Sequence, residues 1–353
     1  MPHLLLEINR RGRLFMKEIA VEQSIGTVLA HDLTQIIPGE YKGPKFKKGH
    51  IIKEEDIPLL ISMGKRHLYV IEKGDTDVHE DEAALRIAQA AIGQGVRLTP
   101  PSEGKVEIIA DCKGLLKINE YLLGHLIDQD DIMFATIKEN QIVDEGMKVA
   151  GTRVIPLFVN PLVVEGAEDI CKEGTIIQIK PLKSMKVGIV TTGSEVYSGK
   201  IKDGFGPVLR AKFSALGSEV INQVFADDDE DMIAAKIHQL IDEGAEIIGV
   251  TGGMSVDPDD LTPSGIRRAG GHIVTYGAPV LPGAMFMLAY INNIPVVGLP
   301  GCVMYSGVSI FDLIVPRLLA GEIPTRGEIK KLAHGGLCMN CEPCHYPNCT
   351  FGK

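Results

Sequence analysis

The second half of this chain predicts an α/β domain of three layers, a mostly parallel sheet with helices on both faces, preceded by a smaller β-rich α+β region. Three observations lead there. From Met185 onward, apolar runs of strand length alternate with segments of helical period. Glycine-bearing loops stand where those strands should end, at 191–204, 251–262 and 299–302. A chain of 353 residues also exceeds one ordinary core, so more than one folding unit is expected.

Residues 1–75 read as short β-like runs with one helix over 54–63, closed by Gly64 where left-handed backbone is favoured. The Lys-, Gly- and Pro-rich stretch 42–48 reads as a solvated loop. In the middle region, 76–182, Ala83, Ala84, Ile87, Ala88 and Ala91 recur at the helical period, and Gly93 and Gly95 end that helix. The runs 106–110, 154–159 and 175–179 read as strands.

In the third unit, 183–330, strands are expected at 186–190, 218–224, 246–250, 272–275 and 295–298. Helices are expected at 207–216, with Pro207 in the first turn and Gly217 beyond the end, and at 229–242, with Ile233, Ile237, Leu240 and Ile241 on one face. A helix over 305–319 closes the domain, and 331–353 is a cysteine-rich tail.

Hydrophobic content of 45% with 23% charged residues is that of a soluble globular chain. A net charge of −10 argues against a nucleic-acid binder. The apolar stretch 278–299 is interrupted by Pro279, Pro282, Gly283, Asn292, Asn293 and Pro295, so no bilayer span is expected there. Leu4, Leu5 and Leu6 are too short a block for a secretory signal, and a cytoplasmic location is expected.

The stretch "TTGSEVYSGKIKDG", 191–204, fails as a nucleotide-triphosphate loop because five residues separate Gly193 from Gly199 and Ile201 follows Lys200. It nevertheless places Gly193, Ser194, Glu195 and Asp203 beyond a strand end. In "TGGMSVDPDDLTPSG", 251–265, Gly252 and Gly253 let backbone approach a ligand, and Thr251 and Ser255 offer hydroxyls. Thr262 reads as a helix cap ahead of Pro263. Asp257, Asp259 and Asp260 would repel a phosphate directly, a conflict that a bridging divalent cation such as Mg²⁺ resolves. The other reading of this stretch is an acidic surface turn capping a helix. Asp227 and Asp228 either face the same site or cap the helix that follows.

Residues 185–325 resemble the molybdopterin-binding domain shared by molybdopterin adenylyltransferases and molybdopterin molybdotransferases. The motifs are "TTGSE", "KDGFGPVL", "ADDDEDM", "TGGMSVDPDDLTP", "PVLPGAMFMLA" and "PVVGLPG", in that order. The resemblance implies pterin and phosphate contacts at Thr192, Gly193, Ser194, Glu195, Gly252, Gly253 and Ser255, and an acidic catalytic or metal-binding role for Asp260. Asp203, Thr251, Pro282, Gly283, Pro300 and Gly301 join the expected cofactor site, Asp228 the catalytic set, and Asp257 the metal set.

A preceding N-terminal region, with "VEQSIGTVLAHDL" at 21–33, favours the molybdotransferase type. That type implies molybdopterin or adenylylated molybdopterin as ligand, molybdate as substrate, AMP release, and a homodimer. A molybdoenzyme or an upstream cofactor-synthesis protein is the implied protein partner. Three departures stand out: Cys302-Val303 replaces the family's Asn-Pro, Asp259 replaces the adenylyltransferase Arg, and a short tail replaces the C-terminal β-domain. A non-catalytic cofactor carrier or sensor, and an adenylyltransferase, are the alternatives.

Cys112, Cys171 and Cys302 are scattered, whereas Cys338, Cys341, Cys344 and Cys349 crowd the tail. Four thiolates so near in sequence could hold Zn²⁺ or an iron–sulfur cluster, with His345 an optional ligand. Free redox-active thiols and an inert tail are the other readings. A segment this short is expected to be ordered only when ligated or docked.

Overall fold

The computed structural model describes residues 16–71 and 77–353; the Leu4–Leu6 block lies outside them. In the N-terminal region, strand Met16–Ala20 pairs with His67–Ile71 and strand Leu33–Ile37 with Tyr41–Phe46, all antiparallel. The stretch read as a loop over 42–48 is thus mostly strand. Its outermost aromatic explains why: Phe46 is buried in a small core with Leu29, Leu33 and Leu60. The expected helix is present as a tight turn, Glu54–Asp56, running into helix Ile57–Ser62, with Gly64 at a φ of +77°.

The middle region holds a four-stranded antiparallel sheet, a three-stranded sheet and three helices. Helix Glu80–Ala91 buries Ala83, Ala84, Ile87, Ala88 and Ala91, the residues whose period announced it. The expected strand over 154–159 is instead two: Lys148–Val154 ends before Pro156, and Phe158–Val159 pairs with Val78–His79. Helices Glu120–Ile127 and Pro161–Lys172 were not foreseen. The second carried a readable start signal, since the Asn160 side chain accepts from Leu162 N and Pro161 occupies the first turn.

The third unit contains a six-stranded sheet with the spatial order Glu219–Ala226, Lys186–Thr192, Ile247–Thr251, Ile294–Leu299, Met287–Ile291, His272–Tyr276. The first four strands run parallel, Met287–Ile291 runs against them, and His272–Tyr276 pairs antiparallel with that strand and so runs with the first four. The fold class read from the sequence is therefore the observed one. The antiparallel strand Met287–Ile291 was missed, being one apolar run among several. One face is covered by helices Phe205–Ala215 and Ile310–Leu319, which share a core with Phe213, Phe286 and Phe311. The other is covered by Glu230–Asp242 and Thr262–Arg268, through Ile233, Ile237 and Ile266. The closing helix begins at Ile310, later than expected, because Ser309 and Asp312 form a reciprocal cap there.

The tail folds back onto this domain. Leu281 N donates to Gly336 O at 2.8 Å and Cys338 N to Leu281 O at 2.8 Å, so the tail borders residue 281 like an extra strand. Phe351 is 2% exposed and sits in the same core as Phe311, and the half-buried Tyr346 packs against that core.

Ion pairs join the middle region to this domain. Glu322 accepts from Arg317, Lys117 and Lys180, and Arg317 also pairs with Glu328 at 2.8 Å. Burial alone would raise the Glu328 carboxyl, but bonds from Thr325 N, the Thr325 hydroxyl and Arg317 outweigh it and hold the group at about 2, below its ordinary 4.5. A depressed carboxylate stabilises the fold above its unfolded value, and that contribution is lost as pH falls from 4.5 through about 2. The thermal midpoint of wild type should therefore exceed that of Glu328→Gln at pH 6, and the gap should close as the pH approaches 2. Differential scanning calorimetry across that range checks it.

Candidate functional site

The four parallel strands present their carboxyl ends at one edge of the sheet, which is where open α/β sheets bind ligands. Directly beneath that edge lie buried threonines: Thr192 at 3%, Thr251 at 0% and Thr262 at 1% exposure. The Thr262 hydroxyl donates to Gly252 O at 2.9 Å, so in the 2.9 Å contact between Thr192 Oγ1 and Thr262 Oγ1 the Thr192 hydroxyl is the donor. Thr262 was expected to cap its helix. It does not: Leu261 holds that position without a side-chain bond, and the Thr262 hydroxyl ties down the glycine loop instead.

Gly252 has φ +91°, and a Cβ there would lie 2.2 Å from Thr192 O. Gly253 has φ +50°, and its Cβ would stand 3.1 Å from Thr262 Oγ1 and 3.6 Å from Asp228 Oδ1. Gly252 excludes a side chain on both conformational and steric grounds, and Gly253 disfavours one through its left-handed backbone and a tight fit. Thr251 Oγ1 is buried and has no partner among the described residues.

A cavity of about 520 Å³ opens at this edge. Nine of the residues expected from the sequence line it: Gly252, Gly253, Ser255, Asp257, Asp260, Pro282, Gly283, Pro300 and Gly301. Phe205, Met254, Leu281, Ala284, Met285 and Cys302 complete the wall and had not been singled out for this site. The motif "PVLPGAMFMLA" carried three of them, Leu281, Ala284 and Met285, but leucine and methionine in an apolar run read first as core. Burial pushes the Cys302 thiol up, so it is neutral near pH 7.

The remaining expected residues stand around the cavity without lining it. Thr192 and Thr251 are the buried floor. Gly193 precedes a one-turn helix, Ser194–Tyr197, in which Glu195 is exposed. Ser194 N donates to Asp228 Oδ2 at 2.9 Å, and the Ser194 hydroxyl contacts Asp227 Oδ1 at 2.5 Å. Bonds from Ser194 and from Asp228 N hold the Asp227 carboxyl below its usual range. Asp229, not Asp227 or Asp228, caps the helix that follows, by accepting from Met232 N. Asp203 accepts from Phe205 N, Gly206 N and Gln223 Nε2 at 2.7–3.0 Å, so its carboxylate starts the helix that carries Phe205 to the wall.

Among the described residues no three His, Cys, Asp or Glu side chains converge as a metal site. The tail departs here from the expected four-thiolate cluster. Cys338 and Cys349 pack against the apolar core, while Cys341 and Cys344 are exposed, so the four sulfurs are divided between two environments. That arrangement does not fit Zn²⁺ or an iron–sulfur cluster. Asp257 and Asp260, by contrast, adjoin in the cavity wall, Asp257 N donating to Asp260 Oδ2 at 3.3 Å.

Residues 188–320, the sheet and the loops just described, match the family described as a probable molybdopterin binding domain. Residues 18–72 match a domain of unknown function, DUF8806. The chain is similar to the molybdopterin molybdenumtransferase of Staphylococcus aureus strain COL, 22% identical over 347 residues, covering 92% of this chain and 76% of that one. It is also similar to a CinA-like protein of Mycobacterium avium strain 104, 32% identical over 97 residues, which is 28% of this chain and only 22% of that protein. Among solved structures, the molybdopterin biosynthesis enzyme MoaB from Thermus thermophilus aligns with 39% of this chain and 98% of its own, at 19% identity and a TM-score of 0.32. No helix among the described residues is long and apolar enough to cross a membrane.

Proposed function

We propose that this chain binds molybdopterin in its adenylylated form at the carboxyl edge of the sheet, and that molybdate is inserted there with release of AMP. The observation that carries the reading is the convergence of three glycine loops, 252–255, 282–283 and 300–301, with Asp257 and Asp260 around one cavity. Gly252 and Gly253 bring backbone within reach of a phosphate, and the Thr192–Thr262–Gly252 hydrogen bonds keep that backbone in place. Phe205, Met254 and Met285 give the cavity an apolar wall suited to a flat ring. Asp257 and Asp260 would hold Mg²⁺, which when bound neutralises phosphate oxygens. The homodimer implied by the molybdotransferase type belongs to the same proposal.

Asp260→Asn keeps the side-chain shape and removes the charge. It should retain the pterin but lower AMP release by about a hundredfold or more, measured by chromatography of AMP from adenylylated molybdopterin, molybdate and Mg²⁺. Release at the wild-type rate would move the role elsewhere. A wild-type chain that binds the pterin and releases no AMP would instead support a carrier, the reading that Cys302 in place of the family's Asn favours.

A further inference from the structure

Tyr276 ends the edge strand His272–Tyr276 and is 38% exposed. Its hydroxyl lies 3.1 Å from Met254 O and 3.2 Å from Ser255 O, the carbonyls of two successive peptides in the loop that forms one cavity wall. One phenolic proton is thus shared between two carbonyls. Both peptides are trans, so each N–H points opposite to its own carbonyl. Because the Met254 and Ser255 carbonyls face the tyrosine, the N–H groups of Ser255 and Val256 face away from it. Neither N–H donates to any protein group among the described residues.

We infer that Tyr276 is a positioning residue: its hydroxyl fixes two peptides so that the Ser255 and Val256 amides remain free to bind an anionic oxygen of the ligand. The inference deepens the pterin-phosphate reading and rests on it for the ligand's identity, but not for the anion site. Successive unpaired amides form a concavity for anions, and in a chain with net charge −10 such fixed local donors are what an anion needs. Burial first, then the neighbouring Asp260 carboxylate, raises the phenol's pKa, so the hydroxyl keeps its proton and remains a donor throughout the neutral range. Without the hydroxyl, both carbonyls lose their partner and the peptides can turn. The amides then no longer point together.

Tyr276→Phe keeps the ring and its packing. Wild type and variant are titrated with a neutral pterin alcohol, with the phosphate monoester of the same pterin, and with inorganic phosphate, following the ¹⁵N resonances of Ser255 and Val256. The expected result is a loss of about tenfold in affinity for the phosphate ester and for phosphate, consistent with charge-assisted hydrogen bonds lost, with the neutral pterin bound as in wild type. Equal losses for charged and neutral ligands would mean a merely structural role and overturn the inference, as would unchanged affinity for all three. If neither pterin binds but phosphate still shifts the two amides and does so more weakly in the variant, the positioning role stands and the pterin reading fails.

Discussion

Phe351→Ala is expected to destabilise the C-terminal domain by about 3–5 kcal/mol, the range for truncating a buried aromatic. The residue is 2% exposed, belongs to the core of Phe213, Phe286 and Phe311, and meets Tyr346 edge-on with ring centroids 6.2 Å apart. Gly352 lies so close to Leu313 that an added Cβ would stand 2.4 Å from that side chain, and Gly352 N donates to Gly335 O at 2.9 Å. Calorimetry of wild type and variant would show it as a lowered midpoint for the domain. Deleting 336–353 should be more damaging still, since it also removes the backbone bonds to Leu281. A truncated chain with the wild-type midpoint would show that the tail rests on the surface and contributes no core.

The second large effect is expected at the glycine loop. Gly252→Ala forces a side chain into left-handed backbone and drives its Cβ to within 2.2 Å of Thr192 O. The loop must move, taking Gly253 and Ser255 with it, and affinity for a phosphate-bearing pterin should fall by about a hundredfold or more, as preorganised donors are lost. Gly253→Val should act similarly, because its branched side chain would crowd Thr192, Thr262 and Asp228. Circular dichroism establishes that each variant is folded, and fluorescence titration with the pterin ester measures the loss. A folded Gly252→Ala chain that binds as wild type would remove this loop from the site.

The sheet was legible because its strands are short apolar runs divided by glycine, and because parallel connections put successive loops at one edge. Gly252, Gly253 and Gly283 were readable because glycine marks backbone where an added Cβ would crowd a neighbour. What escaped depended on contacts remote in sequence. Tyr276 lies some twenty residues from the carbonyls it holds, and nothing in "HIVTY" distinguishes it from an edge-strand tyrosine. Asp203 looked like a ligand contact because a carboxylate in a loop carries no sign of the Phe205, Gly206 and Gln223 donors that already occupy it. The tail misled through composition. Four cysteines within twelve residues suggested one shared ion, whereas the aromatics between and after them, Tyr346 and Phe351, were what anchored the segment.

The position of Phe351 also bears on how the domain comes into being. Its core is assembled from residues as far apart as Val187 and Phe351, so a chain emerging from the ribosome would have all six strands outside the exit tunnel before its last core aromatic appeared. Until then the slot beside Leu313 and Phe311 would stand open to water, and an apolar surface would be displayed by an otherwise complete sheet. Final closure of this domain therefore waits for the tail. Synthesis that stalls within the tail would leave a product vulnerable to proteases and prone to self-association, although every residue lining the cavity had already been made.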